Sequence, residues 1–190
     1  MPKVQMGAQP MIYPLPVAMI GSHVNNKPNF MTVAWCGVIS SAPPMLSISI
    51  GSRNYTQNGI RQNMSFSVNI PSIDLVKEAD YCGITSGANA DKIKTCGFKV
   101  FYGKNPDAPM IEQCPINMEC RTVNIYNSGR AYIIIGQIEE THISDDCLTE
   151  GKPDLDKIKP LAYARGTSPR YYALGEIIAD AFSIGKRLKS

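Results

Sequence analysis

Apolar and polar positions alternate over much of the first half of the chain. In residues 45–50 (MLSISI), Ile48 and Ile50 alternate with Ser47 and Ser49, and residues 65–70 (SFSVNI) set Phe66, Val68 and Ile70 on one face. Both patterns predict half-buried strands. Residues 11–20 are apolar and proline-rich, and residues 21–29 (GSHVNNKPN) carry the Asn-Asn and Lys-Pro signals of a turn. Residues 30–40 (FMTVAWCGVIS) are rich in β-formers and stop at Ser41-Ala42-Pro43-Pro44, which predicts a second strand. Further on, two long runs, 116–126 and 131–142, flank Asn127-Ser128-Gly129 and predict a hairpin.

Helical spacing is shorter and rarer. Residues 56–63 (TQNGIRQN) predict a short helix with Thr56 as its N-cap, and residues 74–83 a second, capped by Asp74 and stopped by Gly83. In that second helix Leu75, Val76, Ala79 and Cys82 share a face. Residues 86–97 predict a loop and a turn or two of helix that leave Lys92 and Lys94 outside. A polar, turn-rich stretch (149–160) precedes a last strand at 161–164, and residues 174–184 have helical spacing. No repeat or shift of composition divides the chain, so residues 1–190 are expected to form one domain. Many strands, few helices and regular turn signals predict a mainly β fold, an antiparallel barrel closed or nearly closed.

Composition narrows the function classes. With 190 residues, 44% hydrophobic and 18% charged, the chain can bury a sizeable core. The net charge of +3 comes from scattered basic residues, which argues against nucleic acid but leaves room for a single bound phosphate. No run reaches the ~18 apolar residues of a membrane span. Pro10, Pro14 and Pro16 interrupt what would be the apolar part of a signal peptide, so a cytoplasmic protein is expected. The six cysteines contain no CxxC pair and are expected to be reduced, and His23 and His142 are too far apart in sequence to suggest zinc. His142 is expected to be a hydrogen-bonded strand-end residue.

The chain has no GxSxG elbow, no GxGxxG opening a helix and no GxxxxGK[ST]. One candidate site remains. Arg53 offers a planar fork of donors, Ser52 and Thr56 offer hydroxyls, Gly51 permits close backbone approach, and the helix starting at Thr56 presents unsatisfied N–H groups. Together these suit a phosphate monoester. The alternative is a surface loop whose Arg is solvated and whose Thr is only a cap.

Wider context favours the phosphate. Residues 29–37 (NFMTVAWCG), 43–56 (PPMLSISIGSRNYT), 66–70 (FSVNI), 80–92 (DYCGITSGANADK) and 168–176 (SPRYYALGE) resemble, in this order, motifs of the flavin reductase-like family, whose members bind FMN in a split β-barrel. The resemblance covers nearly the whole chain. It implies an antiparallel Greek-key split barrel in which Arg53, Ser52 and Thr56 hold the FMN phosphate and Lys92 adds a second cation. It also implies that Thr32, Val33, Ala34, Trp35 and Cys36 lie along the flavin ring, with Asn29, Ser49, Ile50, Gly51 and Tyr172 nearby. Trp35 is otherwise expected in the core or an interface, and Cys36 lacks a neighbouring cysteine that would make it a redox partner. The implied partners are NAD(P)H or a redox protein such as a ferredoxin, in a homodimer. A bound flavin supplies the redox chemistry, so no acid–base residue is required of the chain. The other readings are an NAD(P)H:flavin oxidoreductase that releases reduced flavin, a non-catalytic FMN-binding module, and an interaction domain with an empty phosphate loop.

Overall fold

Five strands form within the first 51 residues of the computed structural model, which describes residues 1–188. Lys189 and Ser190, part of the single-domain expectation, lie outside the described residues. After the short β1 (Leu15–Pro16), β2 (Ala18–Val24) and β3 (Lys27–Val33) make a hairpin. Its turn is tighter than expected. Only Asn25 and Asn26 leave the ladder, with φ of 52° and 60°, the two left-handed conformations that a two-residue turn matching strand twist needs and that asparagine tolerates. Residues 21–24 and 27–29 are therefore strand.

β4 (Cys36–Ser41) and β5 (Pro44–Gly51) form a second hairpin, followed by α1 (Thr56–Asn63) and β6 (Ser65–Ile70). A 3-10 turn at Ile73–Leu75 leads into α2 (Val76–Ile84), and α3 (Lys92–Cys96) follows a loop. The expected cap and stop of the second helix are corrected. Ser72 Oγ accepts from the Asp74 N–H, so Ser72 caps the 3-10 turn, and Gly83 lies inside α2. The short pair β7 (Val100–Phe101) and β8 (Met110–Ile111) precedes the long hairpin of β9 (Ile116–Asn127) and β10 (Ala131–Ile143), which agrees with the sequence reading to about a residue. The chain ends through β11 (Leu148–Thr149), β12 (Lys152–Pro153), α4 (Leu155–Ile158), β13 (Ala162–Ala164) and β14 (Arg170–Tyr172).

Residues 174–180 carry no helix, against expectation, and only a 3-10 turn at Ile184–Leu188 follows. Leu174, Ile177, Ile178 and Phe182 are exposed. An amphipathic helix gains most of its stability from packing its apolar face, and among the described residues these apolar side chains stay largely uncovered.

The main sheet runs β3-β2-β6-β9-β10-β5-β4 with every pair antiparallel. β3 and β4 are consecutive in sequence yet occupy opposite edges, joined only by Ala34 and Trp35. Three Cα–Cα steps reach at most ~11 Å, so the sheet must curl until its edges approach. No ladder joins β3 to β4, and the sheet is not closed into a barrel. The single strand expected over residues 30–40 is thus two strands on either side of a seam.

Curling creates two apolar layers. Ile20, Ile48, Ile50, Ile60, Phe66 and Ile134 fill the inside, plugged by α1. Outside, Met19 and Phe30 of β2 and β3 pack with Ala79 and Cys82 of α2, Phe98 and Ile111. α2 and α3 thereby cover the edge of β3 that the seam leaves unpaired, which protects it from pairing with another chain. In the sheet, His142 Nε2 lies 2.7 Å from Oε1 of the buried Glu119, close to the end of β10, as expected of a strand-end histidine.

Candidate functional site

The corner after β5 is built from three elements. β5 ends at Gly51, where a side chain would meet Asn54 Oδ1 at 2.5 Å, so the absence of a Cβ lets the chain fold back on itself there. The turn is held by Asn54 N–H to Gly51 O (3.0 Å) and by Ser52 N–H to Arg130 O at the tip of the β9–β10 hairpin (3.0 Å). It delivers the chain into α1, whose first residue is Thr56. Tyr55 occupies the cap position in helical conformation, and its side chain makes no capping hydrogen bond. The expected capping role of Thr56 is corrected, and the N–H groups of the first turn have no capping side chain.

The Thr56 hydroxyl is used differently. Asn29 Nδ2, on β3, donates to Thr56 Oγ1 at 2.7 Å, and both residues are buried. The hydroxyl oxygen is thus anchored while its hydrogen remains available to an acceptor. Gly87 backs this pair closely. A Cβ at residue 87 would overlap Asn29 Oδ1, lie 2.7 Å from Asn29 Cγ and 3.1 Å from a Tyr55 ring carbon.

Lys92 enters from the other side. The expectation that it stands outside α3 is corrected, for the residue is only 4% exposed. Its Nζ donates to Phe30 O (2.8 Å) on the free edge of β3 and to Cys82 O (2.9 Å) near the end of α2. Both carbonyls would otherwise lack a helix or sheet partner, which is why a lysine is drawn in. Burial lowers the Lys92 pKa, opposed by the nearby thiols of Cys82 and Cys96. Two of its three N–H groups are engaged, and one is left to donate.

These groups line one cavity of about 190 Å³, bounded by Met31, Arg53, Tyr55, Thr56, Lys92 and residues 82–87. That volume takes a phosphate and the end of a polyol chain, but is small for a whole drug-sized ligand. The Arg53 side chain is exposed and, among the described residues, pairs with no carboxylate. Two cations, a hydroxyl hydrogen and an uncapped helix N-terminus make the corner a receptor for a dianion. The residues present therefore fit the phosphate of FMN.

The other residues implied to touch a flavin are placed differently. Thr32 Oγ1 donates to Ala79 O at 2.5 Å, which spends the hydroxyl on docking α2. Val33 and Ile50 are buried in the inner core, and Cys36 packs against it with its thiol pushed up to about 11 by burial. From these three only backbone groups are free to meet a ligand. Ala34 and Trp35 form the link across the seam. The Trp35 side chain is 56% exposed, outside the core, and its carbonyl accepts from the Ser49 N–H at 2.8 Å. Ser52 lies in the turn beside Arg53. Tyr172 sits on β14 in the three-stranded sheet β1-β13-β14 and does not line the phosphate corner. Its neighbour Tyr171 is the anchored one, donating to Asp80 Oδ1 at 2.9 Å. Tyr55, Gly87 and residues 84–86 escaped sequence reasoning as individual residues, although all of them lie in the family-like motifs at 43–56 and 80–92.

Comparison with known proteins defines the family. Residues 10–171 match the flavin reductase like domain, and the chain belongs to that family. Within it, the chain is similar to two solved flavoredoxins. That of Methanosarcina acetivorans is 37% identical with a TM-score of 0.94, covering 99% of this chain and 100% of the other. That of Desulfovibrio vulgaris (Miyazaki F) is 34% identical with a TM-score of 0.90, covering 96% and 99%. An uncharacterized protein of Archaeoglobus fulgidus is 34% identical over 76% of this chain and 81% of its own length. Among the described residues no helix is long and apolar enough to cross a membrane.

Proposed function

We propose that this chain is an FMN-binding redox protein of the flavoredoxin kind, which takes up hydride or electrons and passes them on. The observation that carries the reading is the convergence of Arg53, Thr56, Lys92 and the α1 N-terminus on one phosphate-sized cavity. Bound FMN supplies the hydride or electron chemistry. The protein's share is to hold and orient. Arg53, Ser52 and Thr56 grip the phosphate, Lys92 neutralises it from beneath, and Asn29 fixes the Thr56 oxygen. Residues 32–36 together with Ser49, Ile50 and Gly51 border the ring and the polyol chain, mainly through their backbone. The seam between β3 and β4 leaves backbone groups there outside any ladder, which suits the pyrimidine edge of a flavin.

The electron donor is NAD(P)H or a redox protein such as a ferredoxin. Anaerobic titration of FMN-loaded protein with NADH, NADPH and reduced ferredoxin tests this. Bleaching of the flavin band by a nicotinamide alone marks a reductase, and bleaching by ferredoxin alone marks a carrier. Full binding without bleaching by any of them would overturn the redox reading in favour of a binding module.

A homodimer is part of the proposal. Trp35, Val38, Ile39, Tyr126 and Ile133 are exposed apolar residues on β4, β9, β10 and the seam, and a second copy would cover them. Sedimentation that returns a single 20.8 kDa species would remove the dimer.

Gly87→Ala tests the packing behind Thr56. The added methyl must displace the Asn29 amide, and the expected outcome is a loss of about 1 kcal/mol in FMN affinity as the Asn29–Thr56 bond is disturbed. Overpacking also lowers folding stability by roughly 1–3 kcal/mol. Fluorescence titration and thermal melting read the two effects separately.

A further inference from the structure

Beneath the anion corner lies a pair of thiols that the proposed redox role does not use. Cys82 is in the last turns of α2 and Cys96 ends α3. Lys92 and Cys96 are four residues apart in α3 and so share a helix face. Because Lys92 Nζ donates to Cys82 O at 2.9 Å, that same face is the one turned toward Cys82. Both cysteines pack in the outer apolar layer, together with Cys114, Cys82 inside the cluster and Cys96 against it. All six cysteines are free thiols in this structure. Cys82 is buried whereas Cys96 is partly accessible, so one member of the pair can be reached from solvent and the other is held against it.

We propose that Cys82 and Cys96 are a reversible dithiol–disulfide pair, oxidised by exchange with a low-molecular-weight disulfide. The accessible Cys96 loses its proton to solvent, and its thiolate attacks one sulfur of the small disulfide. That S–S bond breaks, one small thiolate leaves, and a mixed disulfide remains on Cys96. Cys82 then loses its proton and attacks the Cys96 sulfur, expelling the second small thiolate. Two protein thiols are oxidised to one disulfide while the small disulfide is reduced to two thiols. Burial raises the pKa of both cysteines, so the exchange is slow near neutrality and accelerates as pH rises. The link would tie α2 to α3 across the segment of residues 82–87 that lines the cavity, so the pair sits where its state can be felt by the anion corner.

The test does not depend on flavin binding. The folded full-length protein is incubated with oxidised glutathione at pH 8.5, quenched with a maleimide and analysed by intact mass and peptide mapping. The expected result is loss of two of the six thiols, no retained glutathione, and a peptide linked through Cys82 and Cys96 that dithiothreitol reopens. In Cys82→Ser, Cys96 retains one glutathione. In Cys96→Ser, whose site is only partly buried, the protein loses no thiol pair and keeps Cys82 reduced. Six intact thiols in the wild-type protein, a glutathione adduct that stays on Cys96, or a link from Cys82 to Cys114 would each overturn the proposal.

Discussion

Replacing Arg53 by alanine is expected to weaken FMN binding by about 1.5–3 kcal/mol, the usual worth of a hydrogen bond to a charged group. That is roughly a ten- to hundredfold rise in Kd, read by quenching of flavin fluorescence. The side chain is exposed and unpaired among the described residues, so its removal leaves the core intact and the melting temperature should hardly move. Riboflavin, which lacks the phosphate, provides the control. Its affinity should be indifferent to the substitution, and raising the salt concentration should weaken FMN binding in the parent more than in the variant. A Kd for FMN within twofold of the parent would remove Arg53 from the phosphate site.

Lys92→Met is expected to act on binding and on stability together. The substitution keeps the apolar stem but leaves the Phe30 and Cys82 carbonyls without their buried donor, at roughly 1–3 kcal/mol for each. The loss of a cation under the phosphate should lower FMN affinity by a further amount similar to that of Arg53→Ala. A Lys92→Met protein as stable as the parent would refute the buried arrangement, and unchanged FMN affinity would refute the second cation. The pH dependence follows from the direction of the Lys92 shift. Burial favours the neutral amine, so its pKa lies below the usual 10.5. The charged form is the one that attracts phosphate. FMN affinity in the parent therefore holds at lower pH and falls as pH rises through that depressed value, earlier than for an exposed lysine. In Lys92→Met this alkaline loss should disappear, as isothermal titration at a series of pH values would reveal.

Much of the fold could be read from the sequence because its signals were local. The β9–β10 hairpin announces itself by two long strand-like runs around Asn127-Ser128-Gly129, and the alternation in β5 matches the face it buries. β6 keeps Phe66 and Val68 in the inner core as its alternation predicts, but it is not half-buried, because Ser67 and Asn69 on its other face are buried too. The anion corner was legible for the same reason, since Gly51, Ser52, Arg53 and Thr56 lie within six residues of one another. What was not legible depends on distant partners. Lys92 reads as a solvated helix residue until β3 and α2 bring two carbonyls to it. Thr56 reads as a cap until Asn29, twenty-seven positions earlier, takes up its hydroxyl oxygen. Residues 174–184 have helical spacing, but among the described residues their apolar side chains are left largely uncovered. Residues 30–40 read as one strand, because composition does not reveal that the chain changes edges at Ala34.

The two-residue step from β3 to β4 also makes the chain intolerant of length changes at that point. Side chains alternate along a strand, so one inserted residue would turn Cys36 from the interior to the outside and reverse each position after it until the register recovered. A deletion would draw the rims of the sheet together and crowd the open line between them. Loops elsewhere on the surface can absorb such changes, whereas here the count of residues helps to set the curvature of the whole sheet.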